Sequence, residues 1–310
     1  MSAPENDLNK IPLQLHPFLR YAYGLFKSHA IADEMAVLAE FADKDCPPMD
    51  QIAMNHLPSR VYEAFMANKT LTREFLHWVV SRRECTNYTY DLTAASIAYL
   101  TSFVAVTAGI ERSVAEKYIQ ELEEDRALRS HLQESIRTHR SSIADTDIFY
   151  GRRLGWYAFV RAKKPRTVIE TGIDQGMGSC VLAAALLRNA AEGSPGHYYG
   201  IDINAGAGIY FAGEYAKVGD ILYGDSAQML GRLGCQIDFL IADSCHAEGY
   251  ESQEYAAVQD KLSPEAIVIS DSDYAELANF ALKTGRKFLF WPEWSKDHFA
   301  RGAGIAIAYR

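Results

Sequence analysis

Short apolar, often β-branched runs alternate with longer helical stretches over the second half of the chain. The first run, 167–169, is Thr-Val-Ile, the pattern of a buried parallel strand. Further runs at 197–204, 221–223, 237–243 and 266–270 predict four more strands, with helices between them. That alternation builds a parallel sheet with right-handed crossovers. Two last strands are predicted at 285–291 and 304–310; no helix fits between them, so they should pair antiparallel.

The first half reads differently. Apolar residues at helical spacing predict helices at 16–41, 51–67, 70–83, 92–110, 114–139 and 147–164. In 114–139 the apolar stripe runs through Val114, Tyr118, Leu122 and Leu128, and the dense charges from Glu116 to Arg129 form a solvated face. The uncharged run 92–110 is interrupted by Thr93, Ser96, Thr101, Ser102, Thr107 and Gly109, which favours a buried helix over a membrane span. The pattern divides the chain into an α-helical domain at 1–145 and an α/β domain at 146–310. The helical part is expected to shape a substrate pocket or a dimer interface.

Charge narrows the class. With 31 basic and 40 acidic residues the net charge is −9, and no basic patch suggests nucleic acid. Five cysteines without a C-x-x-C pair fit reduced thiols, and residues 1–10 are too polar for a signal peptide. Both point to the cytoplasm.

The chemistry gathers at 166–180, where the first strand ends in Glu170, Gly172, Gly176 and Gly178 before an Ala/Leu-rich helix. Strand, glycine turn and helix open a nucleotide-binding sheet. The glycines let the backbone approach a ligand closely. A dinucleotide fingerprint needs a third glycine where Val181 stands, and no Gly-Lys-Ser/Thr follows for a phosphate loop. Glu-x-Gly-x-x-x-Gly resembles motif I of the class I S-adenosylmethionine (SAM) dependent methyltransferases, in particular the catechol-type small-molecule O-methyltransferases.

The resemblance covers about half the chain and implies a Rossmann-like, doubly wound, seven-stranded and mostly parallel sheet with a reversed last strand. It implies SAM contacts at Glu170, Thr171, Gly172, Gly176, Gly178 and Ser179, at Asp202 and Ile203 for the ribose end, and at Asp225 and Ser226 for adenine. Asp202 ends the second strand, where an acid can accept two ribose hydroxyls. Asp225 and Ser226 also suit a helix cap. Asp243 would border both cofactor and acceptor, with His246 as general base and Asp271 orienting it. The family's divalent cation would fall to Asp243, Asp271 and Ser272; serine replaces an asparagine there and is a poorer ligand for Mg²⁺, which puts metal dependence in question. Tyr150 and Arg153, on the helix before the first strand, and Trp294 and His298, in the long loop between the last two strands, are the candidate acceptor contacts. Core packing and a solvent face compete as readings for the first pair, and packing on the helical half for the loop.

The expected reaction moves a methyl group from SAM to an oxygen, or less favourably a nitrogen, of a small-molecule acceptor, in a protein that binds no nucleic acid or membrane and forms a homodimer. Two alternatives stand beside it: a scaffold that keeps the fold without turnover, and a nicotinamide-dependent oxidoreductase.

Overall fold

The computed structural model describes residues 89–139, 147–245, 247–271, 274–296, 298 and 302–310, and in addition the helical positions 59, 62, 63 and 66. The helices expected at 16–41 and 70–83, and the rest of 51–67, lie outside the described residues. The chain forms two compact units, Met1–Ser81 and Arg82–Arg310, and the second holds everything that follows. The division expected at 145/146 falls inside this second unit.

Its centre is a seven-stranded sheet of β2 (Thr167–Thr171), β3 (His197–Asp202), β4 (Gly219–Tyr223), β5 (Ile237–Ala242), β6 (Leu262–Ser270), β7 (Lys287–Trp291) and β9 (Ile305–Tyr309). Their order across the sheet is β4-β3-β2-β5-β6-β9-β7. β2 to β6 pair parallel, whereas β9 runs antiparallel to both β6 and β7. The expected reversed last strand is therefore present, inserted between β6 and β7. A second, unforeseen pairing joins β1 (Asp91–Leu92) to β8 (Ser295–Lys296) within the loop that precedes β9.

Successive side chains of a strand point to opposite faces, so a doubly covered sheet needs apolar residues at every position. β2 is buried throughout, with Val168 in one core and Ile169 in the other. β9 shows how the faces differ: Ile305 and Ile307 fill the first core, while Ala306 and Ala308 share the second with Leu277, Phe280 and Ala281. Small residues on that face let α8 (Tyr274–Thr284) pack close. α6 (Ser226–Arg232) and α7 (Tyr250–Val258) complete that layer through Leu230, Tyr255 and Val258.

The opposite layer contains α1 (Ala94–Ala108), α2 (Arg112–Glu123), α3 (Arg126–His139), α4 (Arg153–Lys163) and α5 (Met177–Ala191). Leu100, Val104, Ile119, Leu122, Leu128, Leu132 and Ile136 belong to the same core as Trp156, Phe159 and the sheet. Each such side chain contributes about 1.5–3 kcal/mol on burial. Residues 94–139 are thus a wall of the α/β core. α1 begins at Thr93, whose hydroxyl accepts from the Ser96 N–H, and stops at Gly109 with φ 70°. Its buried threonines return their hydroxyls to carbonyls four residues back, Thr101 to Ile97 at 2.8 Å and Thr107 to Phe103 at 2.6 Å. No described helix is long and apolar enough to cross a membrane.

Three local expectations change. The single helix at 114–139 is two, because Asp125 ends one and caps the next, accepting from the Leu128 N–H at 2.9 Å. The charged face is only partly solvated: Glu121 turns inward to the buried Arg161 at 2.6 Å, and Asp125 to Arg188 at 2.9 Å. The helix expected from 147 starts at Arg153, because Gly151 adopts φ 51° against the Tyr90 ring, where a Cβ would collide.

Candidate active site

The parallel strands deliver a row of polar residues to one edge of the sheet, since the ladder hydrogen bonds continue one step past the strands. The N–H of Gly172 donates to Ile201 O, that of Gly224 to Asp202 O, that of Asp243 to Thr171 O, and that of Asp271 to Ala242 O, at 2.8–3.2 Å. The ends of β4, β3, β2, β5 and β6 are thereby locked in register. Strand order reverses between β2 and β5, the place where open α/β sheets leave a ligand crevice at their carboxyl ends.

At the glycine turn, two glycines are demanded by the protein itself. Gly172 has φ 74°, and a Cβ there would overlap the Asp243 carbonyl; a Cβ on Gly178 would overlap the Glu170 carboxylate. Glu170 is buried and turned inward, where its Oε2 accepts from Tyr198 Oη at 2.5 Å and from Ser179 Oγ at 3.1 Å. Burial lifts its pKa to about 7, although Tyr198, Arg153 and Ser179 pull the other way. Thr171 is also buried, and its hydroxyl accepts from the Asp243 N–H at 3.3 Å. Glu170, Thr171 and Ser179 therefore brace the turn from beneath, and Gly176 begins α5 with φ 93°.

Asp202 faces outward. Its Oδ1 accepts from Asn204 N at 2.8 Å and its Oδ2 from Asp174 N at 3.2 Å, which fixes the carboxylate while leaving lone pairs open. Ile203, the next residue, is 79% exposed. An apolar side chain held in water beside an oriented carboxylate suits a nucleoside, with the flat base on the former and hydroxyls on the latter. Asp225 caps α6 through Gln228 N at 2.9 Å and accepts from Tyr250 Oη, also at 2.9 Å; Ser226 Oγ lies 3.1 Å from the same phenol. The cap reading of Asp225 holds, and Tyr250 joins it to the start of α7.

Asp243 and Asp271 end adjacent strands, and a cation stands against both. Arg152 places Nε 2.7 Å from Asp271 Oδ1 and Nη2 3.5 Å from Asp243 Oδ2, with all three side chains largely buried. Its Nη1 donates to Tyr90 Oη at 3.4 Å, and that hydroxyl donates on to Glu293 Oε1 at 2.8 Å. Burial and the Asp271 charge push the Asp243 carboxyl well above the usual range, opposed by Arg152. Burial likewise raises Glu293. Among the described residues no group of three His, Cys, Asp or Glu could hold a metal ion. A hard cation wants a shell of oxygens, and here a guanidinium already contacts both acids, so the described residues do not fit Mg²⁺. His246 and Ser272 lie outside the described residues.

The acceptor candidates separate. Tyr150 is 3% exposed and lies under the Arg129 guanidinium, 5.6 Å from the ring centre, within the core of the helical layer. Arg153 is buried with its guanidinium over Trp156 at 5.7 Å. His298 is buried against the Tyr90 ring, centroids 5.8 Å apart, beside the Arg152 group. Trp294 remains partly exposed but packs edge-on to Tyr99, and its backbone bonds Thr93 and Ser96 of the α1 start. The loop that carries it thus packs on the helical layer.

Sequence reasoning passed over Arg152, Tyr90, Glu293, Tyr198 and Tyr250. Only Arg152 had a signal, the Arg152-Arg153 doublet at the start of α4, of which Arg153 alone is a candidate in the sequence reading.

Residues 169–272, from within β2 to just past Asp271, match a family model described as a methyltransferase domain. A search of curated proteins finds no match. Among solved structures, the chain is similar to the O-methyltransferase TomG of Streptomyces achromogenes, crystallised with SAM: 17% identity, 60% of this chain and 90% of that one, TM-score 0.43. It is similar to the Podospora anserina methyltransferase PaMTH1, crystallised with S-adenosylhomocysteine, at 18% identity over 60% and 88% of the two chains, TM-score 0.42. An O-methyltransferase from Bacillus cereus follows at 14% identity, 58% and 91%, TM-score 0.42.

Proposed function

We propose that this chain, which carries a methyltransferase domain at 169–272, is a SAM-dependent enzyme that methylates an oxygen of a small-molecule acceptor. The observation that carries the reading is the pairing of the fixed, outward Asp202 carboxylate with the exposed Ile203, one strand away from the glycine turn. Bound SAM supplies an electrophilic sulfonium methyl and departs as S-adenosylhomocysteine.

In this reading Asp202 accepts the ribose hydroxyls, Ile203 supports the base, and Asp225 with Ser226 borders it. Gly172 keeps the β2 end low enough for the crevice to pass over it. Asp243, on the next strand, faces the acceptor. His246, three residues further on, is proposed to take the acceptor proton at an imidazole nitrogen. The protein otherwise contributes alignment, because methyl displacement needs the three reacting atoms in line. A net charge of −9 and the lack of any basic stripe in the sequence favour a small acceptor over nucleic acid. Homodimerisation and a cytoplasmic location are kept as expectations, to be checked by light scattering and cell fractionation.

Calorimetric titration with S-adenosylhomocysteine tests the reading. Wild type should bind, and Asp202→Ala should lose at least tenfold in affinity, since hydrogen bonds to a charged group contribute about 1.5–3 kcal/mol each. Absence of binding by the wild type would overturn it. A screen with methyl-labelled SAM and His246→Ala as control then asks for turnover; a protein that binds but never transfers would be a scaffold.

A further inference from the structure

We propose that Arg152 is a built-in substitute for a divalent cation: its guanidinium holds the Asp243–Asp271 pair, and no metal enters there. The inference takes these two strand ends as the acceptor edge of the site proposed above, but its test does not require methyl transfer.

Adjacent carboxylates at the ends of β5 and β6 repel each other unless a positive charge lies between or beside them. A metal could supply that charge, and so can a side chain. Arg152 contacts Asp271 at 2.7 Å and Asp243 at 3.5 Å with two different nitrogens of one planar group. A guanidinium carries five donors in a fixed fork, cannot be deprotonated in a protein, and matches carboxylates better than an ammonium does. The remaining contacts keep it from swinging away. Tyr90 Oη accepts from both the Arg152 backbone N–H, at 3.5 Å, and Nη1, at 3.4 Å, while Glu293 anchors Tyr90 through both carboxylate oxygens. The Trp156 ring lies 5.5 Å from the guanidinium carbon on another side. Gly151, in the left-handed region, directs the chain so that residue 152 reaches the strand ends just before α4 begins. The cation is therefore held from several directions, as a resident metal would be.

Arg152 is a positioning residue: it orients Asp243 and Asp271. The consequence for substrate class is that the acceptor need not offer two neighbouring oxygens to chelate a metal. A single hydroxyl facing Asp243 suffices.

The test uses Mn²⁺ as probe, followed by electron paramagnetic resonance, on the full chain with and without S-adenosylhomocysteine. Wild type should leave the free Mn²⁺ signal unchanged at millimolar metal. Arg152→Ala, which uncovers both acids, should bind Mn²⁺ at least tenfold more tightly than wild type, and Arg152→Ala/Asp271→Asn should lose that gain. Arg152→Met, which conserves side-chain length, is run in parallel, with near-ultraviolet circular dichroism to establish that each variant is folded. Mn²⁺ binding by wild type that Asp271→Asn abolishes would overturn the proposal, and so would a folded Arg152→Ala with no gain. The nucleoside titration on the same samples reports separately on the SAM reading, so one can fail without the other.

Discussion

Arg152 and Asp271, 119 positions apart in the sequence, meet at 2.7 Å with side chains 9% and 8% exposed. A buried charge is tolerated because its partner is present, and removing one member strands the other. Here the consequence is multiplied, since Asp243, Asp271 and Glu293 all share the field of Arg152.

Arg152→Met should therefore destabilise the protein by about 3–5 kcal/mol, the usual cost of breaking a buried pair. Arg152→Met/Asp271→Asn should recover part of that loss. Urea denaturation of the four proteins of the cycle measures it, and strict additivity would show that the pair is not coupled.

Glu170 gives stability a pH dependence of unusual sign for an acid. Its folded pKa of about 7 exceeds the ordinary value of 4.5, so the folded state holds the proton more tightly than the unfolded chain. The contribution is complete below about pH 4.5 and is lost as pH rises through about 7, amounting to about 3 kcal/mol. Unfolding free energies measured from pH 4.5 to 8 should fall more steeply for wild type than for Glu170→Gln. Parallel curves would contradict this.

Gly172→Ala should cost more than backbone strain. An alanine at φ 74° is strained by about 1–3 kcal/mol, and its Cβ must also displace the Asp243 carbonyl. Gly193→Ala is the control, because Gly193 has φ 83° with nothing within 4 Å of a Cβ. Thermal melts should rank Gly172→Ala below Gly193→Ala, and nucleoside affinity should drop only in the former.

Tyr90→Phe removes a hydroxyl that donates to Glu293 and accepts from Arg152. Leaving a buried carboxylate short of a donor costs about 1–3 kcal/mol. Gly304 N, at 3.0 Å, still serves Glu293, so the lower half of that range is expected. Pairing the change with Glu293→Gln in a denaturation cycle should reveal a coupling of at least about 0.5 kcal/mol.

The sheet was legible because its strands announce themselves twice, through apolar runs and through the acids that end them. Asp202, Asp225, Asp243 and Asp271 could each be placed at a strand end from sequence alone. Glu170 was legible in position but not in direction. Whether a carboxylate at a strand end looks out or in depends on where the Tyr198 and Ser179 hydroxyls point, and the glycine motif does not encode that. Arg152 was illegible for a different reason. A helical pattern starting at 147 assigns Arg152 and Arg153 by face, but Gly151 breaks the helix, and the residue beside it escapes the 3.6-residue period. Tyr90 meets that guanidinium and Glu293 holds Tyr90, from segments 203 positions apart, a proximity that no local pattern encodes.

The small ladder of β1 and β8 carries a kinetic consequence. Asp91 and Lys296 are 205 positions apart, and their pairing closes a ring that contains nearly the whole unit. Closing so long a loop is entropically costly until the seven-stranded sheet has brought its ends together. The ladder should form last in refolding and open first in native-state hydrogen exchange, with Thr93 and Trp294, whose backbones bond at 3.0 Å, losing protection in step. It acts as a clasp, and Tyr90, one residue before it, would slacken whenever it opens.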